Sequence, residues 1–292
     1  MRAVDIVIRT AGAPERRSSL QRAIRSVLDQ QGVAARPIVV VAGNLPKLCN
    51  ELANHPVVKV QHLRQPASPG RALAIGRSLV EADHYGFLDD DDELLPHAIM
   101  TGLQVMHAEA QTDLVVTTGF YFSEGRRQIQ VPDLLSNQSD PVSSILDRCW
   151  LSSCGGLYRA STITSAYFED LPDVCEWTYL AFRLALDQRK IRFIDTLTYN
   201  AYDTPMSMSK GAAFIEGTLL ALNAMRAHPQ PAAVRAKLER KYRAALHDAA
   251  DDYRRLKRRR KAWLCHLRSL RPPHTFRYLG YTRKLMWSNS RS

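Results

Sequence analysis

Tyr85-Gly-Phe-Leu-Asp89-Asp-Asp-Asp92-Glu-Leu-Leu-Pro96 decides the fold of this chain. It opens on a short apolar run, and four consecutive aspartates follow without a spacer. An apolar run of this length, bounded by polar residues, predicts a strand. Towards the N-terminus, Val4–Ile8, Ile38–Val41 and Val57–Val60 are further strand-like runs, and Ser18–Gln30, Lys47–Ala53 and Gly70–Val80 between them read as helices. In the first of these, Leu20, Ala23, Ile24, Val27 and Leu28 fall at i, i+3, i+4, i+7 and i+8, which is one face of a helix. Alternating strands and helices predict an α/β fold with a parallel sheet, and the unbroken run Ile38-Val-Val-Val-Ala42 predicts a strand covered on both faces. Asp89–Asp92 then lie at the carboxyl edge of the sheet, where open α/β sheets bind their ligands.

Towards the C-terminus the pattern predicts a helix from Pro96 to about Ala110, a strand at Leu114–Thr118 and a polar irregular stretch, Ser123–Asp140. Helices at Val142–Cys149 and Cys175–Leu186 and a strand at Ile191–Ile194 follow. From Pro231 the character changes. Leu238, Tyr242, Ala245, Ala249, Tyr253, Leu256, Trp263, Leu267 and Leu270 recur at threes, fours and sevens until Pro272-Pro273, which predicts one helix of about 40 residues. Residues 1–212 are expected to form the main domain and 213–292 a basic helical tail.

The 292 residues suit one sizeable core plus an appendage. Five cysteines, odd in number and without CxxC or Cys/His spacing, argue against a disulfide framework and a zinc site. The N-terminal apolar stretch is short for a signal peptide, and no run is long enough to span a bilayer, so a cytoplasmic protein is expected. Net charge is +11, yet residues 231–292 hold 18 Lys and Arg against 4 Asp and Glu. The basicity therefore belongs to the tail, and the rest of the chain is mildly acidic.

Four adjacent carboxylates repel one another, which suggests a hard cation, Mg²⁺ or Mn²⁺, held by one or two of them with phosphates completing its shell. The competing reading is a solvated acidic turn that caps the next helix.

Two segments add a resemblance: Ser68-Pro-Gly-Arg71-Ala-Leu-Ala-Ile-Gly-Arg77, and then the Asp89–Asp92 stretch ending at Pro96. Together they resemble the donor half of the family 2 glycosyltransferases, in which a Gly/Arg-containing helix precedes a strand ending in Asp-x-Asp and a proline. Val4–Thr10 and Ala23-Ile-Arg-Ser26-Val-Leu-Asp-Gln30 are similar to that family's first strand and first helix. The resemblance spans about residues 3–210. It implies a Rossmann-like GT-A nucleotide-diphospho-sugar transferase fold, with residues 1–96 as the donor half and 97–212 as the acceptor half. The implied reaction is inverting, metal-dependent sugar transfer from a nucleotide-sugar donor to a glycan or lipid-linked acceptor, in surface polysaccharide synthesis.

Residue by residue, the resemblance makes Asp89 and Asp91 the metal pair, with Asp91 ahead as direct ligand. Asp89 and Asp90 also fall on the donor side, and Asp92 is a further candidate. Thr10 falls where the first strand meets the nucleotide. Arg71 falls where a basic side chain approaches the base or the diphosphate, or is a surface arginine on a solvated helix. Two departures stand out. The family often has Pro-Thr-Tyr-Asn where this chain has Arg9-Thr10-Ala11-Gly12, and an acidic nucleoside contact where it has Ala42-Gly43-Asn44. The nucleoside is therefore left open.

Inverting transfer needs a carboxylate that takes the acceptor proton. The family's acidic doublet is missing from Asp173-Val-Cys-Glu176-Trp177, so Glu176 is the candidate base, with Asp173 and Asp170 behind it. Trp177 could stack on a sugar or belong to the core. Ser153-Cys-Gly-Gly156 could let backbone approach a ligand or simply form a turn. Asp203, in Tyr199–Ser209, could replace a histidine that often approaches the metal in the family, or shape a turn.

Other readings compete. A nucleotidyltransferase would carry a Gly-rich loop with a lysine, which Thr10–Glu15 lacks. An inactive transferase-like scaffold fits the missing doublet, and a nucleic-acid-binding protein fits the basic tail, although no nucleic-acid motif accompanies it and none is expected as a partner. Arg254–Lys261, with Trp263, Phe276, Tyr278, Tyr281 and Trp287, suits an anionic membrane surface at the inner face, or else the seam packs on protein.

Overall fold

A computed structural model of the protein describes residues 3–43, 45–204, 212–271 and 278–287. The chain divides into two compact units, Met1–Ser207 and Met208–Ser292. In the first, β1 (Val4–Thr10), α1 (Arg17–Leu28), β2 (Ala35–Ala42), α2 (Pro46–Ala53), β3 (Lys59–Leu63), α3 (Pro69–Ser78) and β4 (His84–Asp89) follow the expected alternation. The predicted face of α1 is the one that packs inward, with Leu20, Ala23, Ile24 and Val27 buried. Its partners are β1 and β2, whose Ile6, Ile8, Val39 and Val41 are almost wholly buried in the same core cluster. Helices α2 and α3 start at Pro46 and Pro69, where proline's fixed φ suits a first turn and its missing N–H costs nothing.

Then come β5 (Glu93–Leu94), α4 (Ala98–Ala108), β6 (Leu114–Ser123), β7 (Arg126–Ile129), α5 (Pro141–Asp147), β8 (Gly156–Arg159), α6 (Glu176–Leu186) and β9 (Ile191–Tyr202). Among the described residues, nine strands form one sheet in the order β3-β2-β1-β4-β8-β6-β9-β5, with β7 on β6. The parallel sheet expected from the alternation is present in its N-terminal strands, and the complete sheet is mixed. Pairings β3–β2–β1–β4 are parallel, but β8 runs antiparallel to both β4 and β6. Four residues carry no visible period, which is why β8 left no trace in the hydrophobic pattern.

Strand order reverses around β1, because the chain walks outward through β2 and β3 and then returns to place β4 on the other side. Such a switch point opens a crevice at the carboxyl ends of the strands. Register sets Arg9 of β1 directly opposite Asp89 of β4 there.

In the second unit, α7 (Ala212–Ala227), α8 (Ala232–Arg255), α9 (Arg259–Ser269) and α10 (Leu279–Trp287) form a helical cluster around Leu246, Ala249, Ala250, Tyr253, Ala262, Cys265 and Leu285. The single long helix predicted from Pro231 is corrected to two. Lys257 is left-handed at φ +58°, its N–H bonds the Arg254 carbonyl at 3.0 Å, and Arg258 N–H bonds the Tyr253 carbonyl at 2.8 Å. This pair of bonds is a Schellman stop built without glycine, so no residue in the pattern announces it. Of the aromatic residues that suited either a membrane surface or packing on protein, three are packed. Trp263 and Tyr281 pack on the unit's core, and Tyr278 stacks on His247 at 4.3 Å between centroids. Phe276, Pro272-Pro273, Asn44, the stretch 205–209 and the side chain of Trp287 lie outside the described residues. Among those described, no helix is long and apolar enough to cross a membrane.

Candidate active site

The four aspartates form the turn between β4 and β5, closed by a hydrogen bond from Asp92 N–H to the Asp89 carbonyl at 3.2 Å. Arginines supply much of the charge balance that the sequence assigned to a cation. Arg9 donates Nε to Asp89 Oδ1 at 2.8 Å and Nη2 to Glu176 Oε1, also at 2.8 Å. Arg16 spans Asp90 at 2.7 Å and Asp91 at 3.3 Å, and Arg22 reaches the Asp91 carbonyl at 2.5 Å and Glu93 at 3.4 Å. Burial opposes the charge on Arg9, but Asp89 and Glu176 overcome it and raise its pKa above the usual guanidinium range. In Arg16 burial is likewise outweighed, by Asp90 and Asp91.

Thr10 ends β1 and donates its hydroxyl to Asp90 Oδ2 at 2.5 Å, while accepting the Gly12 N–H at 2.9 Å. Both Asp90 oxygens are therefore engaged. Asp91 accepts from Thr204 Oγ1 at 3.0 Å, and burial followed by repulsion from Asp89 raises its pKa. Asp92 points into the protein, where the Cys154 thiol donates to it at 3.1 Å and the Tyr202 N–H at 3.0 Å. Burial, then the charges of Asp89 and Asp91, push its pKa well up. The Cys154 thiol is pushed well up by burial and by Asp92, so it acts as a neutral donor that fixes the turn to the sheet.

Glu176 opens α6 behind Cys175, which is left-handed at φ +60°. Although it is 87 residues from Asp89 in sequence, the two carboxylates share one guanidinium. Arg9 keeps Nη1 buried and without a hydrogen-bond partner among the described residues. Asp89 Oδ2 and Asp91 Oδ1 also make no hydrogen bond or ion pair there.

Against this geometry, the sequence profile of Glycosyl transferase family 2 matches residues 6–161, more than half of the chain. The chain belongs to that family. It is a glycosyltransferase, and its α/β architecture is the GT-A fold expected from the sequence. Staphylococcus aureus TarS residues 1–349, solved with UDP-GlcNAc, is similar at 16% identity over 84% of this chain and 72% of that one, with a TM-score of 0.59. The same TarS residues solved with UDP give 14% identity over 84% and 71%, with a TM-score of 0.55. At such identities the likeness is one of fold. No curated protein is matched by the sequence.

Within this family 2 glycosyltransferase, the fold gathers Thr10, Asp89, Asp90, Asp91 and Glu176 around Arg9 and Arg16. Other candidates stand apart. Arg71 is exposed on the first turn of α3, with its backbone N–H on Ser68 Oγ at 3.4 Å, and its side chain makes no ion pair among the described residues. Asp170 and Asp173 are exposed and make no hydrogen bond or ion pair to the acidic turn. Asp203 accepts from Ser123 Oγ at 3.0 Å. Trp177 sets its ring edge-on to Phe87 at 5.3 Å, within an aromatic cluster. Added carbons on Gly155 and Gly156 would meet the Thr117 carbonyl at 2.9 Å and the Tyr158 ring at 2.7 Å, so these glycines serve packing.

Sequence reasoning missed Arg9, Arg16, Arg22 and Thr204. Arg9 was visible as a departure from the family pattern, and its place at the end of the strand beside Thr10 was the available signal. Among the described residues no three His, Cys, Asp or Glu side chains are grouped to hold a metal ion. The residues do fit the sparser mode usual for Mg²⁺, one or two carboxylates plus substrate phosphates, through the unused oxygens of Asp89 and Asp91.

Proposed function

We propose that this enzyme transfers a glycosyl group, with inversion, from a nucleoside-diphosphate sugar to a hydroxyl of a glycan or lipid-linked acceptor, as in the building of surface polysaccharides. The observation that carries the reading is Arg9, which joins a donor-side carboxylate, Asp89, to a candidate base, Glu176, through one guanidinium. The donor class is supported by membership in family 2 and by TarS, a similar fold solved with UDP and UDP-GlcNAc.

In the reaction the acceptor oxygen attacks the anomeric carbon, forming a new C–O bond, while the bond from that carbon to the diphosphate breaks and its electron pair leaves with the diphosphate. Glu176 takes the hydroxyl proton. Arg9, through its unpartnered Nη1, and Arg16 meet the charge of the diphosphate. Thr10 and Asp90, bonded to each other, form the floor at the end of β1. Asp89 and Asp91 would hold Mg²⁺ or Mn²⁺, which when bound supplies positive charge to the departing diphosphate. On this reading Asp92 is a structural anchor and Arg71 a peripheral donor contact. Residues 1–96 serve the donor and 97–212 the acceptor, and residues 231–292 face an anionic membrane on its cytoplasmic side.

Incubation with a panel of nucleotide sugars and Mn²⁺ tests the reaction class. Release of a nucleoside diphosphate is expected. Pyrophosphate in its place would replace the reading by nucleotidyl transfer, and no turnover or hydrolysis of any donor would leave a scaffold without catalysis.

A further inference from the structure

Helix α9 carries polar side chains on its buried face and leucines on its exposed one. Its inward face is Ala262, Cys265, His266 and Ser269, with His266 and Ser269 wholly buried, whereas Leu264 and Leu267 on the outward face are 55% and 57% exposed. The polar side chains inside each make a hydrogen bond, while His266 Nδ1 is buried without a partner among the described residues. His266 Nε2 bonds Thr282 Oγ1 of α10 at 2.7 Å, and Ser269 donates to the His266 carbonyl at 2.7 Å. Single exposed leucines are ordinary. This pair differs in its setting, because Arg260 lies one turn before Leu264, Arg268 one turn after it, and Arg271 one turn after Leu267.

These three arginines are exposed and make no ion pair among the described residues, unlike Arg254 and Arg255, which pair with Asp251, and Lys261, which pairs with Glu216. No acidic residue occurs between Arg254 and Ser292. Helix α10 also exposes apolar side chains, with Leu279 and Met286 46% and 58% exposed while Leu285 is buried.

We propose that the outward face of α9, Leu264 and Leu267 bracketed by Arg260, Arg268 and Arg271, inserts into an anionic lipid surface. Guanidinium groups meet the headgroups at the level from which two leucines enter the acyl boundary. Charge complementarity selects this occupant, since a polyanion without an apolar layer would use the arginines and leave the leucines in water. The proposal rests on the reading of residues 231–292 as membrane-facing, and it names the side chains that make the contact.

The test uses the intact protein, sedimented at low salt with vesicles of phosphatidylglycerol and phosphatidylcholine or of phosphatidylcholine alone. Binding is expected only to the former. Leu264→Gln/Leu267→Gln, which alters exposed positions, should keep its helical circular dichroism and weaken partitioning by at least about tenfold. Arg260→Ser/Arg268→Ser should weaken it by a similar factor and reduce its salt dependence. Absence of wild-type binding, or unchanged binding by the leucine variant, would overturn the proposal. So would a leucine variant that changed only the oligomeric state in sedimentation velocity. Donor turnover in solution, measured on the same preparations, reports on Asp89–Asp92 separately, so either reading can fail without the other.

Discussion

The two ends of strand β1 hold the same kinds of side chain and use them differently. At its start, Asp5 is wholly buried. Its carboxylate accepts from Arg36 at 2.8 and 3.1 Å and from the N–H groups of Glu81 and Ala82 at 2.8 and 2.9 Å. At its end, Arg9 pairs with Asp89 and Glu176 but, among the described residues, keeps Nη1 unpartnered, and Asp89 and Asp91 there each keep an oxygen with no hydrogen bond or ion pair. One acid–arginine group is saturated by the protein and the other is not. Charge alone therefore does not distinguish the two groups; their unused donors and acceptors do.

Substitution should separate the two ends cleanly. The largest effect is expected from Glu176→Gln, which lowers transfer by about 10² to 10⁴-fold with donor affinity nearly unchanged, because glutamine cannot take the acceptor proton. Steady-state kinetics and donor titration check it, and unchanged turnover would hand the role to Asp173 or Asp170. Asp5→Ala should instead lower stability by about 3 kcal/mol, since Arg36 and two backbone N–H groups lose their acceptor, with turnover per folded molecule preserved. Denaturant unfolding measures the first quantity and activity per folded molecule the second. Loss of turnover without loss of stability would break the comparison.

A smaller effect is expected in the helical unit. Burial works against the charge on Asp251, but hydrogen bonds from Tyr281, Lys284 and Arg254 outweigh it and hold its pKa well below the usual carboxylate range. Because the folded pKa is depressed, the stabilisation is present above the unfolded carboxylate range, near pH 4, and is lost as pH falls through the folded pKa. Asp251→Asn should therefore melt earlier than wild type at pH 7, with the gap narrowing on acidification below about pH 4. A gap that stayed constant with pH would mean that the carboxylate charge is not what the helices use.

Much of the fold was legible because it rests on local periods. Leu20, Ala23, Ile24 and Val27 mark the buried face of α1, and Ile38–Val41 marks a strand covered on both sides. Strands β5 and β8 were not legible, since two and four residues carry no period, and the stop at Lys257 was hidden because its cap lacks the usual glycine. The acidic turn was visible as a chemical oddity and Glu176 as a first-turn acid. What joins them was not, because Arg9 meets Asp89 across 80 positions of chain and Glu176 lies further still. The register of β1 against β4 brings Arg9 to Asp89, and the start of α6 brings Glu176 to Arg9.

On the proposed function, the acidic turn binds the donor diphosphate with a divalent cation. Thermal shift of the wild type and of Asp91→Ala, each with and without nucleotide sugar in Mn²⁺ buffer, tests it most directly. At least one donor should raise the wild-type melting temperature by about 5 °C at saturation and leave Asp91→Ala unmoved. An equal rise in both proteins, or a full wild-type rise in metal-free buffer, would show that the acidic turn does not hold the donor through a cation.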